Sequence, residues 1–271
     1  MPSFALAEKG DSAALVDMFK EAFATPITTD EWLWFTEQNP KGKNHSYLMK
    51  DDREALMGSY CFSPSELYLG GEFLNASYGH HLVVKKQYRS AQTFCEFSRF
   101  VIEEEKKRGV DLLISVPNQS AYAPHKVLAK WKDFSFVRTW KKHSLQTQNH
   151  CCEKVDFFDE EALAFLKEKF QRMNFYFARD PQWMNWRFFS HPHSPYTAYV
   201  YKDHGKVLGY IVLKQYQDPT KYRKAHIMDL HYANSVAFEN LIKLAETYAE
   251  SCDELNLWGL ELFTYEKDFL R

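Results

Sequence analysis

The chain has 271 residues, room for two domains of ordinary size, and its 45% hydrophobic content favours packed cores over disorder. A formal net charge of −2, with only short basic clusters (Lys85-Lys86, Lys106-Lys107-Arg108, Lys141-Lys142), excludes the basic stripe of a duplex-binding protein, so no nucleic-acid partner is expected. No run reaches the roughly 18 apolar residues of a membrane span, no leader pattern opens the chain, and five cysteines without framework spacing read as free thiols of a cytoplasmic protein.

In chain order, a helical stretch ends near Trp34 ahead of the helix-stopping Pro40. Tyr47–Asp51 and Leu56–Tyr60 read as a β-hairpin, and Asn75–Val84 as a third strand. Phe94, Phe97, Val101 and Ile102 recur at helical spacing, with a charged run from Glu103 to Arg108. Asp111–Val116 reads as a buried strand, Ser120–Lys130 as a helix, and Phe134–Arg138 with Lys142–Gln146 as closing strands.

The same order returns about 150 residues later. Trp186-Arg187-Phe188-Phe189-Ser190-His191-Pro192 echoes Trp34–Pro40, Tyr199–Asp203 echoes Tyr47–Asp51, and Val207-Leu208-Gly209 echoes Leu56-Met57-Gly58. Lys224–Leu230 reads as the third strand, a helix capped at Ser235 follows, and Glu254–Trp258 reads as the buried strand. These landmarks predict a tandem α/β protein with mixed sheets, its linker between Gln146 and Phe158, and domains at 1–148 and 149–271. Only Gly259–Arg271 remains to close the second copy, which is therefore expected to be incomplete or eroded.

Helix, hairpin, long strand, long helix, strand, helix is an order that resembles the GNAT acyltransferase fold, and the tandem arrangement is similar to bacterial double-GNAT proteins. Leu82-Val83-Val84-Lys85-Lys86-Gln87-Tyr88-Arg89 looks like the GNAT strand and loop that embrace the cofactor pyrophosphate. The family's Arg/Gln-x-x-Gly-x-Gly/Ala frame falls on Arg89-Ser90-Ala91-Gln92-Thr93-Phe94, where Gln92 and Phe94 replace two small residues. Ser115-Val116-Pro117-Asn118 resembles the strand-end Asn beside the pantetheine arm; a plain Pro-Asn turn with Ser120 as helix cap fits the same residues. Trp183–Phe188, with His191-Pro192 and Tyr196, is similar to GNAT-like proteins associated with cell-envelope polysaccharide synthesis. The resemblance implies acyl-CoA, first of all acetyl-CoA, bound by Val83, Val84, Arg89, Ser90, Ala91, Gln92 and Asn118. It implies no such site in the second half.

Acyl transfer to an amine needs a base for the amine, a polarised thioester carbonyl and a proton for the thiolate. His80 and His81 occupy the strand where the family places its base, and strand alternation lets only one of them face the cleft. The family's Tyr acid falls near Val127 or Leu128, which cannot donate; Tyr122, one turn earlier, is the substitute. Trp34, Trp186 and Arg187 are candidates for contacting a small-molecule amine such as an amino sugar or nucleotide sugar, against core packing and an interdomain salt bridge as alternatives. His143, His150, Cys151 and Cys152 lack zinc-site spacing, so no metal is expected. The rival functions are an aminoacyl-transferring double-GNAT protein of the peptidoglycan kind, which would use aminoacyl-tRNA, and a non-catalytic GNAT-fold binding module.

Overall fold

The structure is a computed structural model and describes residues 2–23, 27–171, 173–193 and 195–260. The chain falls into two compact units: the first holds residues 2–133 and 174–178, the second the remaining described residues. The boundary expected at 148/149 thus lies within a segment belonging to the second unit.

Unit 1 contains β1 (Ser3–Leu6), α1 (Ser12–Ala22), α2 (Thr29–Glu37), β2 (His45–Lys50), β3 (Leu56–Leu69), β4 (Glu72–Val84), α3 (Ala91–Lys107), β5 (Leu112–Ser115) and α4 (Gln119–Ala123). Unit 2 contains β6 (Val137–Lys142), β7 (Cys152–Val155), α5 (Glu160–Leu163) and α6 (Phe165–Phe170). After β8 (Phe175–Phe177), which belongs to unit 1, it continues with α7 (Pro181–Phe188), β9 (Tyr196–Asp203), β10 (Lys206–Gln217), β11 (Arg223–Tyr232), α8 (Ser235–Tyr248) and β12 (Glu254–Leu260).

The sheet of unit 1 runs β1-β2-β3-β4-β5, with β8 added to the far end of β3. Alternation along its strands supplies two cores. Leu48, Cys61 and Val83 pack under Leu15, Phe19 and Trp32 of α1 and α2. Their neighbours Tyr47, Met49, Tyr60 and Phe62 pack on Phe97 and Val101 of α3.

The sheet of unit 2 runs β6-β12-β11-β10-β9-β7, with α8 buried on it through Leu241, Ile242 and Ala245. β9-β10-β11-β12 repeats β2-β3-β4-β5, two antiparallel pairings and then a parallel one. The repeat extends to single residues. Gly58 faces Val84 and Gly209 faces Tyr232, and each sits where main chain crowds in. A Cβ on Gly58 would stand 2.6 Å from the Val83 carbonyl oxygen, and one on Gly209 would stand 3.0 Å from that of His231. Gly58→Ala is therefore expected to destabilise unit 1 by about 1–3 kcal/mol, read as a lower urea midpoint; an unchanged midpoint would contradict the close approach.

Three expectations are corrected. The two closing strands are one, β6, and it pairs antiparallel with β12 rather than closing the first sheet. Buried acids fix it there: Lys141 meets Glu254 at 3.1 Å and Lys142 meets Glu246 at 2.6 Å. The helix expected over Ser120–Lys130 is α4 followed by a π-turn at Pro124–Leu128, because Pro124 has no N–H to continue the ladder. The cap of α8 is Asn234, whose side chain accepts from the Ala237 N–H, and not Ser235. The stretch after Leu260, where the second copy was expected to end short, lies outside the described residues.

Candidate active site

The site is organised by a bulge in β4. Ser59 faces Val83 while Cys61 faces His80, so β4 carries one residue more than β3 over the same stretch. His81 takes φ +47°, a left-handed conformation that L-residues other than Asn and Asp seldom adopt. Strand alternation consequently fails here, and the expectation that only one histidine faces the cleft is corrected. His80 Nδ1 and His81 Nδ1 share a hydrogen bond of 2.7 Å.

His80 Nε2 in turn bonds the Ser63 hydroxyl at 2.8 Å. Phe35 meets both imidazoles, at 4.6 and 5.7 Å between ring centres, and Phe19, Phe23 and Trp32 complete the wall around His81. Burial disfavours charge on both rings. It pushes His81 down to about 4; His80 falls well below its ordinary range, with the neighbouring imidazole adding to the effect. The pair is neutral at physiological pH.

Immediately before the bulge the sheet opens. β4 and β5 pair from Ala76↔Leu112 to Gly79↔Ser115, and β5 ends there. From His80 to Val84, β4 pairs only with β3 and leaves its other edge open among the described strands. Val83 is buried under α1, and the Val84 carbonyl accepts from Arg89 Nε at 2.8 Å, bracing the turn that leads into α3.

Ser90 caps α3, its hydroxyl accepting from the Thr93 N–H and its carbonyl from the Phe94 N–H. The N–H groups of Ala91 and Gln92 find no acceptor among the described residues, as first-turn groups of a helix do unless a ligand or water supplies one. The two bulky replacements leave this turn clear. Gln92 donates along the helix to Glu96 at 2.9 Å, and Phe94 turns towards His125.

Other expected residues stand elsewhere. Asn118, and not Ser120, caps α4, its side chain accepting from Ala121 N–H and Ser120 O–H. Tyr122 is exposed and donates to Asp133 at 3.0 Å, with Lys126 on its oxygen; no contact joins it to the histidines. Trp34 and Trp186 are 4% and 8% exposed, so neither presents a face for a sugar ring, and core packing is the correct account of both. Arg187 donates to the Tyr196 hydroxyl at 3.1 Å. Among the described residues no group of three or more His, Cys, Asp and Glu side chains could hold a metal ion.

Sequence reasoning missed Ser63, Tyr60 and His125. His125, from the π-turn, must donate its Nδ1–H to the Ala121 carbonyl at 2.7 Å, since a carbonyl only accepts. Its Nε2 then accepts from the Tyr60 hydroxyl at 2.8 Å. That hydroxyl fills the space beside Gly79 at the parting of the strands, where a Cβ would meet it at 2.8 Å. A bare Pro-His-Lys sequence carries no signal of this role.

No family model matches the chain, and no curated protein does. Solved structures do. The chain is similar to a probable N-acyltransferase from Enterococcus faecalis V583, with a TM-score of 0.72 and 13% identity over 100% of this chain and 68% of that one. It is similar to a GCN5-related N-acetyltransferase from Anabaena variabilis, with a TM-score of 0.73 and 13% identity over 97% of this chain and 67% of that one. This is a GNAT fold. N-myristoyltransferase from Saccharomyces cerevisiae also matches, at a TM-score of 0.63 and 13% identity over 95% of this chain and 74% of that one. Within this GNAT fold the bulged β4, the turn at Arg89 and the amino end of α3 form one continuous path.

Proposed function

We propose that the protein is an acyl-CoA-dependent N-acyltransferase, with acetyl-CoA as donor, acting through unit 1 with His81 as general base. One observation carries the choice of His81. His80 spends Nδ1 on His81 and Nε2 on Ser63, so among the described residues His81 Nε2 is the one ring nitrogen of the pair without a protein partner. Acetyl-CoA supplies the acetyl group as a thioester. Arg89 and the N–H groups of Ala91 and Gln92 hold its diphosphate, which suits both the charge and the positive end of a helix. The open edge of β4 offers main-chain groups to the pantetheine arm, and the residue added by the bulge offers an unpaired N–H to the thioester carbonyl. His81 takes the proton of the acceptor amine as the new C–N bond forms and the C–S bond breaks; solvent protonates the thiolate.

The acceptor is a small-molecule amine, and the family resemblance favours an amino sugar or nucleotide sugar. We read the two units as tandem copies of one GNAT-like ancestor. Unit 2 takes no acyl-CoA: at the place of His81 it carries Asp229, engaged by Arg179.

Isothermal titration of the full chain with acetyl-CoA tests the reading. Binding is expected to weaken by at least tenfold, about 1.4 kcal/mol, in Arg89→Ala. No heat with any acyl-CoA, in a chain shown to be folded, would end the enzymatic interpretation.

A further inference from the structure

We propose that the outer edge of β5, with the hollow beside it, binds an extended acidic peptide as an added strand. Three observations converge on this edge. First, among the described residues β5 is the last strand of its sheet and pairs with β4 alone, because the strand that follows it in sequence pairs with β12. Its far side is a row of N–H and C=O groups open to a new strand, and at four residues it is short enough to stay soluble without a cover.

Second, a cavity of about 480 Å³ runs beside it with an apolar floor of Leu112, Leu113, Ile102 and Trp131. That volume falls within the range of pockets that hold specific ligands.

Third, the rim carries Lys106 from α3 with Lys130 and Lys132 from the segment after the π-turn. Among the described residues none of these three has a carboxylate within ion-pair reach. Their neighbours Lys107 and Lys126 are paired, with Glu104 and Asp133. Two acids also line the cavity, and neither is ion-paired to these lysines. The Glu105 carboxylate is buried against His45 and Tyr47, and Asp111 accepts from the Asn75 main chain. Three cations are thus left over beside an open strand edge.

A strand edge gives affinity through main-chain bonds, and flanking pockets read alternate side chains. Here one set of side chains would enter the apolar hollow, and carboxylates would reach the lysines. A free small anion would use the lysines and leave the edge idle, so the chemistry of the whole surface is that of a peptide.

The test titrates the full chain with the blocked hexapeptide Asp-Val-Glu-Val-Asp-Val by calorimetry and follows β5 amides by hydrogen exchange. Binding is expected to slow exchange at the outward-pointing β5 amides at least tenfold. It should weaken at least tenfold when Lys replaces the acids of the peptide, and again in the chain variant Lys130→Glu/Lys132→Glu, whose sites are exposed and whose melt should match the parent's. Equal binding by a peptide methylated on alternate main-chain nitrogens would overturn strand addition. So would outward-pointing β5 amides, those not given to β4, already protected in the free chain, or a dimer in solution that comes apart in the lysine variant, since each means the edge is already covered. None of these results depends on acetyl-CoA, so this surface and the proposed enzyme stand or fall separately.

Discussion

Replacing His81 with alanine is expected to lower kcat/KM for acetyl transfer by about 10²–10⁴, the range a positioned proton acceptor contributes. His80→Gln should cost less, because His80 touches His81 and Ser63 and not the acceptor. The pH profile gives a sharper reading than the rate. Burial holds His81 at about 4, so its neutral, proton-accepting form is complete above roughly pH 5 and the acid limb belonging to the base lies near 4. A limb near the ordinary 6.5 that disappears in the His81 variant would mean that the base is solvated and that the aromatic wall does not enclose it.

Stability must follow the same shift, with a definite sign. The folded value lies below the unfolded one, so folding favours the neutral imidazole. The contribution is complete above pH 6.5 and is lost as pH falls towards 4, by at most about 3 kcal/mol. His81→Phe should flatten unit 1's stability across that window. Urea midpoints measured at pH 7 and pH 4.5, followed through a probe in β4, would show it.

The parts of this arrangement that are local in sequence were legible, and those made by distant pairing were not. Gly58 and Gly209 mark their strands because each occupies a place that excludes a Cβ, and the surrounding residues repeat with them. The location of His80 and His81 was legible, but their geometry was not. Alternation assigns them to opposite faces, and nothing in Gly79-His80-His81-Leu82 announces a left-handed residue, which Asn or Gly would have done. The partner of β6 was hidden for a different reason. Lys141 and Glu254 are 113 positions apart, and a strand that reads as the end of one sheet is equally good as the edge of another. Tyr60 and His125 meet across 65 positions through a π-turn that Pro124 imposes. The altered frame at Arg89 misleads in the other direction, since Gln92 and Phe94 look obstructive in sequence and turn away in space.

Asp229→Ala is expected to cost unit 2 about 3–5 kcal/mol, because it removes the carboxylate that faces the buried Arg179 guanidinium. Asp229, 9% exposed at its side chain, lies 2.8 Å from Arg179 Nε, 3.3 Å from the Tyr210 hydroxyl and 3.6 Å from His231 Nε2. Burial pulls its pKa upwards, but Arg179 and His231 outweigh that and hold it below the ordinary carboxylate value. Its contribution is therefore present above pH 3.8 and fades as pH falls below that. The loss in the single variant arises less from missing attraction than from the desolvated guanidinium left behind. Arg179→Met combined with Asp229→Leu should accordingly recover most of the stability, since neither charge then remains. Hydrogen exchange at β10 and β11 reads the effect within unit 2. A single variant that loses under about 1 kcal/mol, or a double variant that loses as much as the single, would show the pair to be solvated. The register equates Asp229 with His81, two positions past the end of each parallel ladder. Two similar bulges thus serve different ends: one leaves a ring nitrogen without a partner, and the other spends its side chain on holding the unit together.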